Sequence, residues 1–149
     1  MIKTPHGSMI VRRSGSFLIP WVQIFGFYLL FFGQYGPGGG FAGGVLLGAS
    51  LIAAILIFGA ESSLAATAQK ALHVDGLGLI IFAGFGGLCL IGGGQLLNYA
   101  TFAVPGLDDP SRRYLGIIVT QIGVALDIAV AAVSIVYSLS SEDKENSDA

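Results

Sequence analysis

One carboxylic acid, Asp127, lies at the midpoint of a long apolar stretch in the second half of the chain. A charged side chain at the centre of a membrane span costs about 2.5 to 3.5 kcal/mol on insertion scales, and acids found there often belong to ion or proton pathways. Asp127, with Thr120 on the same helical face, is therefore a candidate ion site or proton relay. One alternative is structural, because a protonated or hydrogen-bonded Asp127 would hold its helix to a neighbouring helix. Another is that Asp127 faces lipid with access to water.

The helical face that carries Asp127 consists of small and polar residues. Spacings of four and three residues place seven positions on this face: Gly116, Thr120, Gly123, Asp127, Ala131, Ser134 and Ser138. Branched apolar residues lie away from it, at Ile117, Val124, Ile128 and Ile135. Small residues let membrane helices approach closely, so this face is predicted to contact protein and not lipid.

Four glutamines are the other polar side chains at membrane depth, at positions Gln23, Gln34, Gln95 and Gln121. Each is a candidate for a polar contact between helices, worth about 0.6 to 2 kcal/mol. Gln121 precedes Asp127 by six residues, which corresponds to about 240° around a helix of 3.6 residues per turn. The two side chains are therefore predicted to face different neighbours.

The sequence offers little other chemistry. Cys89 is the only cysteine, and His6 and His73 stand alone outside the apolar stretches, so no disulfide, metal site or cofactor is expected. Residues 38–43 match the G-x-G-x-x-G pattern of dinucleotide sites, but that pattern requires a preceding β-strand, and an apolar membrane stretch precedes it here. We expect no enzymatic activity and no nucleic-acid partner.

The elements that position these residues must lie in lipid. The 149 residues are 54% hydrophobic and 11% charged, with a mean hydropathy of +0.79, which leaves too little charge to coat a soluble domain. Four stretches approach the roughly 20 apolar residues that a bilayer core requires: 17–35, 41–60, 77–97 and 115–139. The sequence predicts an all-α integral membrane protein with four transmembrane helices in one domain, residues 1–139, and an acidic, disordered tail at 140–149.

The positions of lysine and arginine predict the orientation in the membrane. Two, Arg112 and Arg113, lie between the third and fourth spans, whereas the other five lie on the opposite side: Lys3, Arg12, Arg13, Lys70 and Lys144. Basic residues concentrate on the cytoplasmic side. Both termini and the segment 61–75 are therefore predicted to be cytoplasmic, with residues 98–113 as an irregular outer loop, in a multi-pass protein of the cell (plasma) membrane.

A glycine-rich run joins the first two predicted helices. Pro37 fixes its own φ and lacks an N–H, while the three glycines after it can adopt positive φ at no steric cost, so a tight turn is predicted. Gly40, Gly44 and Gly48 recur every four residues and leave one face of the second helix flat. We expect this face to pack against a partner subunit. Further glycines in the third span predict either close packing or a local break: Gly84, Gly86, Gly87 and Gly92 to Gly94.

The same run resembles a family signature. Its residues, Gly33-Gln-Tyr-Gly-Pro-Gly-Gly-Gly-Phe-Ala-Gly-Gly44, are similar to the G-H-x-x-P-G-G-G-F-x-G-G pattern of the MnhB family, whose members are the B subunits of Mrp-type multisubunit sodium/proton antiporters. The similarity covers roughly residues 17–139. We assign to the motif and its packing turn Gly36, Pro37, Gly38, Gly39, Gly40, Phe41, Gly43, Gly44 and Gly48.

Two positions depart from the family pattern. Gln34 stands where a histidine is usual, and Gln121, in an element that resembles acidic-x-Gly-Val, stands where an acid is usual. Neither amide can titrate, so a titration assigned to these family positions cannot occur here. Asp127 is the candidate substitute for the lost acid.

The resemblance implies a membrane subunit of a multisubunit monovalent cation (sodium)/proton antiporter, needed for assembly and activity. Its partners would be large complex-I-like subunits and small membrane subunits, with sodium and protons as the transported ions. One alternative is the equivalent subunit in the antiporter-like module of a membrane-bound hydrogenase or related respiratory complex. Another is a stand-alone four-helix exporter, although such exporters carry their acid in the first helix, where this chain has only Gln23.

Overall fold

The fold is an assembly of α-helices. The computed structural model describes residues 8–59, 76–91, 93–101, 106 and 108–145, with the backbone alone for residue 101 and residues 137–145. The helices are α1 (Met9–Phe32), α2 (Gly40–Phe58), α3 (Leu77–Ile91) and α4 (Asp109–Glu145), and a 3-10 turn, Tyr99–Thr101, lies between α3 and α4. These residues contain no β-strand, which confirms the all-α prediction for this part of the chain.

Three helices are long and apolar enough to cross a membrane: α1, α2 and the Asp109–Val136 part of α4. The chain is therefore a multi-pass membrane protein. α3 is also apolar, but its 15 residues extend only about 22 Å at 1.5 Å per residue. Because a bilayer core is about 30 Å thick, α3 by itself is shorter than a full crossing.

The third predicted span differs from the prediction. Helix was expected over residues 77–97, but α3 stops earlier because the chain adopts positive φ at Gly93 (80°) and Leu97 (64°), which an α-helix does not contain. The glycines here form the local break that was one of the two expectations. Residues 93–101, which we call the fold-back segment, return along α3, so that the Leu97 side chain lies 3.2 Å from where a Cβ on Gly86 would be.

α1 and α2 pack in opposite directions. A Cβ on Gly26, late in α1, would lie 3.5 Å from the carbonyl oxygen of Gly43, early in α2. A Cβ on Gly15, early in α1, would lie 2.9 Å from Ile57, late in α2. Glycine at these positions lets the two helices approach closely along their whole length.

α4 lies on the other side of α2 and runs parallel to it. Gly40, the first residue of α2, contacts the backbone of Gln121, and two turns later a Cβ on Gly48 would lie 3.2 Å from the Cα of Ala129. α3 packs on α4 in the opposite direction, with Gly78 beside Asp127. The described helices thus form a row in the order α1, α2, α4, α3. Because α1 is antiparallel to α2 and α4 is parallel to α2, the start of α1 and the end of α4 point to the same side of the helix layer.

Burial follows this arrangement. Most buried hydrophobic side chains belong to α2 and α4, the two middle helices: Ala54, Ile55, Ala125, Ala129, Val130 and Val133. Large aromatic side chains on α1 are exposed instead: Phe17, Trp21, Phe25, Tyr28, Phe31 and Phe32. Extended apolar surface of this kind marks a membrane or protein interaction surface.

α4 is longer than the predicted fourth span at both ends. It begins at Asp109, inside the predicted irregular loop, and continues to Glu145. Residues 140–145, part of the predicted disordered tail, are helical because extending an existing helix needs no new nucleation. Residues 146–149 and the predicted cytoplasmic segment 61–75 lie outside the described residues.

Candidate functional site

Asp127 is half-buried on the side of α4 that faces α3. A Cβ on Gly78, in the first turn of α3, would come within 2.7 Å of both the Cβ and the backbone nitrogen of Asp127. Gly78 has no side chain, so the α3 backbone reaches α4 at this level. The candidate acid therefore lies at the contact between two helices.

The first turn of α3 lies beside Asp127. The Ile80 N–H donates to the carbonyl oxygen of Gly76 at 3.0 Å, so the N–H groups of residues 77–79 have no partner within their own helix. Such N–H groups give a helix start a partial positive charge. No described side chain donates a hydrogen bond to Asp127, and the described residues contain no group of three His, Cys, Asp or Glu residues that would hold a metal ion.

The small-residue face of α4 contacts protein only along its first half. Gly116, Thr120 and Gly123 are buried and Asp127 is half-buried, but Ala131 is exposed. Ser134 is half-buried, and the Ser138 side chain lies outside the described part. Ala131 is exposed because α3 begins at the level of Asp127 and does not cover the later turns, so protein contact along the second half of the face stays a prediction.

Thr120, the second candidate of the relay, has hydrogen bonds that lead away from Asp127. Its hydroxyl lies 2.9 Å from the carbonyl oxygen of Gly116 and 3.0 Å from that of Ile117, one turn back in α4. It accepts a hydrogen bond from the Tyr99 hydroxyl at 3.2 Å. The hydroxyl groups of Thr120 and Tyr99 thus form a pair that does not include Asp127.

Tyr99 is a site residue that the sequence did not predict, because it falls in the predicted outer loop. Its ring packs so closely on Gly116 that a Cβ there would overlap ring atoms, and it lies 6.0 Å from the ring of Phe85. Arg112 donates to the carbonyl oxygen of Ala100 at 3.4 Å. These contacts attach the fold-back segment to α4. The glycine at position 116, opposite an aromatic residue, was the signal available in the sequence.

The hydroxyl pair gives a testable prediction. Tyr99→Phe and Thr120→Val should each lower the stability of the chain by about 0.6 kcal/mol, the average for such bonds in membrane proteins. Because the two changes remove the same bond, the double variant should cost less than their sum. Tyr99→Ala should cost more, since it also removes the ring from Gly116. Thermal unfolding in detergent measures all four variants, and strictly additive losses would contradict the shared bond.

The four glutamines occupy different environments. Gln121 adjoins the start of α2, where its Nε2 lies 3.9 Å from the position of a Cβ on Gly39, while Asp127 faces α3. The prediction that these two residues face different neighbours is confirmed. Gln34 and Gln121 each have one buried amide atom without a partner among the described residues. Gln23 is half-buried in α1 and Gln95 is exposed in the fold-back segment, so polar helix contacts for the four stay a prediction.

The glycine-rich turn has a steric basis. Gly39 has a φ of 110°, which side chains rarely adopt, and a Cβ on Gly33 would overlap the backbone of Gly39. A Cβ on Gly38 would lie 3.0 Å from the carbonyl oxygen of Leu29. Gly36 is different, because nothing lies within 4 Å of the position of its Cβ. Pro37 and Phe41 are exposed.

The flat glycine face of α2 packs inside the chain. Gly40 contacts Gln121, and a Cβ on Gly44 would lie 2.7 Å from the carbonyl oxygen of Ala125. Gly43, on the adjacent face of the same helix, packs on α1. The expectation that the glycine face contacts a partner subunit is therefore wrong, since α4 of the same chain occupies it.

Asp108 precedes α4 and stabilises its start. A hydrogen bond with the Ser111 side chain lowers the pKa of the Asp108 carboxyl below its ordinary value of 3.8. Because the folded-state pKa is lowered, this contribution is present above the ordinary pKa and is lost as the pH falls through the folded value. The nearby Arg112 also forms an ion pair with Asp109 at 3.4 Å.

The fold and the site define an α-helical, multi-pass membrane protein in which an acid, Asp127, lies at the contact of two helices. The family model described as "Domain related to MnhB subunit of Na+/H+ antiporter" matches residues 10–136. The chain is 36% identical over 120 residues to the B subunit of the Na(+)/H(+) antiporter from Alkalihalophilus pseudofirmus, covering 72% of this chain and 79% of the relative. No solved structure matches the chain significantly. The chain belongs to the MnhB family.

Proposed function

We propose that this chain is a membrane subunit of a multisubunit sodium/proton antiporter of the cell membrane. The observation that carries the proposal is the family match over residues 10–136, which includes the glycine-rich turn and most of α4. The relative from Alkalihalophilus pseudofirmus, which is named as the B subunit of such an antiporter, supports the same assignment. The partners are then the other subunits of that complex, and the chain contributes to its assembly and activity.

Within this complex, Asp127 handles ions or protons at the boundary of this subunit. It is the only carboxylic acid inside the apolar part of the three long spans. The first turn of α3, at Gly78, lies directly beside it. Thr120 belongs to the hydroxyl pair with Tyr99, so its contribution is to hold the fold-back segment next to α4.

The chain crosses the membrane four times, with both termini in the cytoplasm. Two features support four crossings: α2 and α4 run parallel, and α3, which lies between them in sequence, runs in the opposite direction. The excess of basic residues near the termini supports the cytoplasmic assignment.

Cysteine labelling checks this topology. In a Cys89→Ser background, a cysteine at Ser147 should be protected from an impermeant reagent in intact cells and become labelled after the cells are opened. A cysteine at Gly36, in the exposed turn between α1 and α2, should react in intact cells and serves as the matched control. Labelling of position 147 from outside would reverse the orientation.

Affinity purification tests the proposed function. A tagged chain, extracted in mild detergent, should bring down large and small membrane subunits, and membranes that contain the complex should exchange sodium for protons only when this chain is present. Hydrogenase subunits among the co-purified proteins would favour the related respiratory complex. A stable homodimer that transports by itself would contradict the proposal.

A further inference from the structure

An apolar cleft lies between α1 and α2, away from Asp127. Its volume is about 470 Å³, within the range of about 300 to 1,000 Å³ typical of ligand sites. Small and aliphatic side chains from both helices line it, among them Ile10, Ser14, Leu18, Val22, Ala49 and Ala53. The Ser50 hydroxyl, also at the cleft, donates to the carbonyl oxygen of Leu47 at 2.7 Å and so contributes little polarity.

The shape of the cleft fits one extended hydrocarbon chain. From Ile10 to Val22 it follows α1 for twelve residues, about 18 Å, close to one half of a bilayer core of about 30 Å. A volume of 470 Å³ over this length corresponds to a cross-section of about 26 Å². A helix with side chains, about 10 Å across, has a cross-section of roughly 80 Å², so it could lie over the cleft but not within it.

Arg12 lies near the end of the cleft. α1 has 24 residues and is about 36 Å long, which exceeds the hydrocarbon core and places its first turn at headgroup level. The Arg12 guanidinium lies 5.9 Å from the ring centroid of Phe58, next to the cleft residue Ile57. Arg12 is exposed and forms no ion pair with a carboxylate in the described part of the chain.

We propose that this cleft binds an anionic phospholipid of the surrounding membrane. One acyl chain occupies the space between α1 and α2, and the phosphate lies against Arg12. The apolar lining accounts for the chain, and an exposed cation at one end, without a carboxylate partner among the described residues, accounts for the negative headgroup. The site is separate from Asp127 and does not depend on the proposed antiport function.

Native mass spectrometry of the detergent-purified complex tests the proposal, with phosphatidylglycerol and phosphatidylcholine of the same acyl chains as probes. Arg12→Gln should lower retention of phosphatidylglycerol about fivefold, the ratio that corresponds to about 1 kcal/mol for one basic residue near an anionic surface. Retention of phosphatidylcholine should not change. Arg113→Gln is the matched control, since it removes an exposed arginine that is not at the cleft.

A second measurement locates the lipid. Phosphatidylglycerol with a photoreactive acyl chain should cross-link to residues 10–22 and 49–57, and Ala53→Phe, which fills the cleft, should abolish that cross-linking. The proposal is overturned if the Arg12→Gln variant retains as much phosphatidylglycerol as Arg113→Gln. It is also overturned if a photoreactive residue at Ala53 cross-links a partner polypeptide and no lipid.

Discussion

Replacing Gly44 with leucine is expected to prevent this chain from folding, whether or not partner subunits are present. A Cβ at this position would lie 2.7 Å from the carbonyl oxygen and 2.8 Å from the Cα of Ala125 in α4. A leucine would therefore force the two middle helices apart, at a cost above the roughly 1 to 3 kcal/mol of ordinary overpacking. Size-exclusion chromatography and thermal unfolding of the detergent-extracted chain measure the effect.

Alanine substitutions along the same glycine face should destabilise the chain to different degrees. A Cβ on Gly40 overlaps the backbone of Gln121, one on Gly44 is tight, and one on Gly48 meets its nearest atom at 3.1 Å. The loss of stability should therefore decrease in the order Gly40→Ala, Gly44→Ala, Gly48→Ala. Gly84→Leu is the control, because a Cβ on this α3 glycine has open space. A Gly44→Leu chain that unfolds like the wild type but binds no partner would show that the face serves a partner instead.

Replacing Asp127 with asparagine should leave a folded, assembled subunit whose transport differs from wild type. Asparagine keeps the shape and hydrogen-bonding capacity of aspartate but cannot ionise beside the positive end of α3. We expect antiport to fall by about tenfold, equivalent to about 1.4 kcal/mol, or its pH dependence to shift. Sodium-driven proton movement in inverted membrane vesicles, followed across a pH series, measures both.

Asp127→Leu separates ion chemistry from packing. It removes the hydrogen-bonding capacity as well as the charge, next to the α3 backbone at Gly78. If leucine reduces assembly and asparagine does not, assembly depends on the hydrogen bonding and packing of residue 127 and not on its charge. If asparagine transports like wild type at every pH, Asp127 holds the helices together and has no ion-handling role.

The sequence was sufficient for the membrane class and for the features that depend on spacing. Long apolar stretches predicted the three long helices, and the four-residue spacing of Gly40, Gly44 and Gly48 predicted a flat contact face. What occupies that face was not predictable. The pattern is the same whether the neighbouring helix belongs to the same chain or to another. The sequence therefore predicted a partner subunit at the position that α4 occupies.

The site was less predictable than the fold because its contacts join segments distant in sequence. Apolar composition continues past Gly93, so hydropathy extended the third span through a break that only backbone conformation defines. Tyr99 lies in a segment with the composition of a loop, and its contact with Thr120 depends on the chain folding back. Helical geometry did predict that Gln121 and Asp127 face different neighbours, because that relation involves one helix alone.

The row α1, α2, α4, α3 limits how an ion could pass along this subunit. A row of helices, unlike a closed bundle, encloses no channel, so the described helices provide at most one wall of a conduit. Asp127 lies on such a wall, at the point where α3 begins and the later turns of α4 are uncovered. The opposite wall would come from outside the described helices. Where a second subunit supplies it, the rate and selectivity of transport depend on both proteins at their interface.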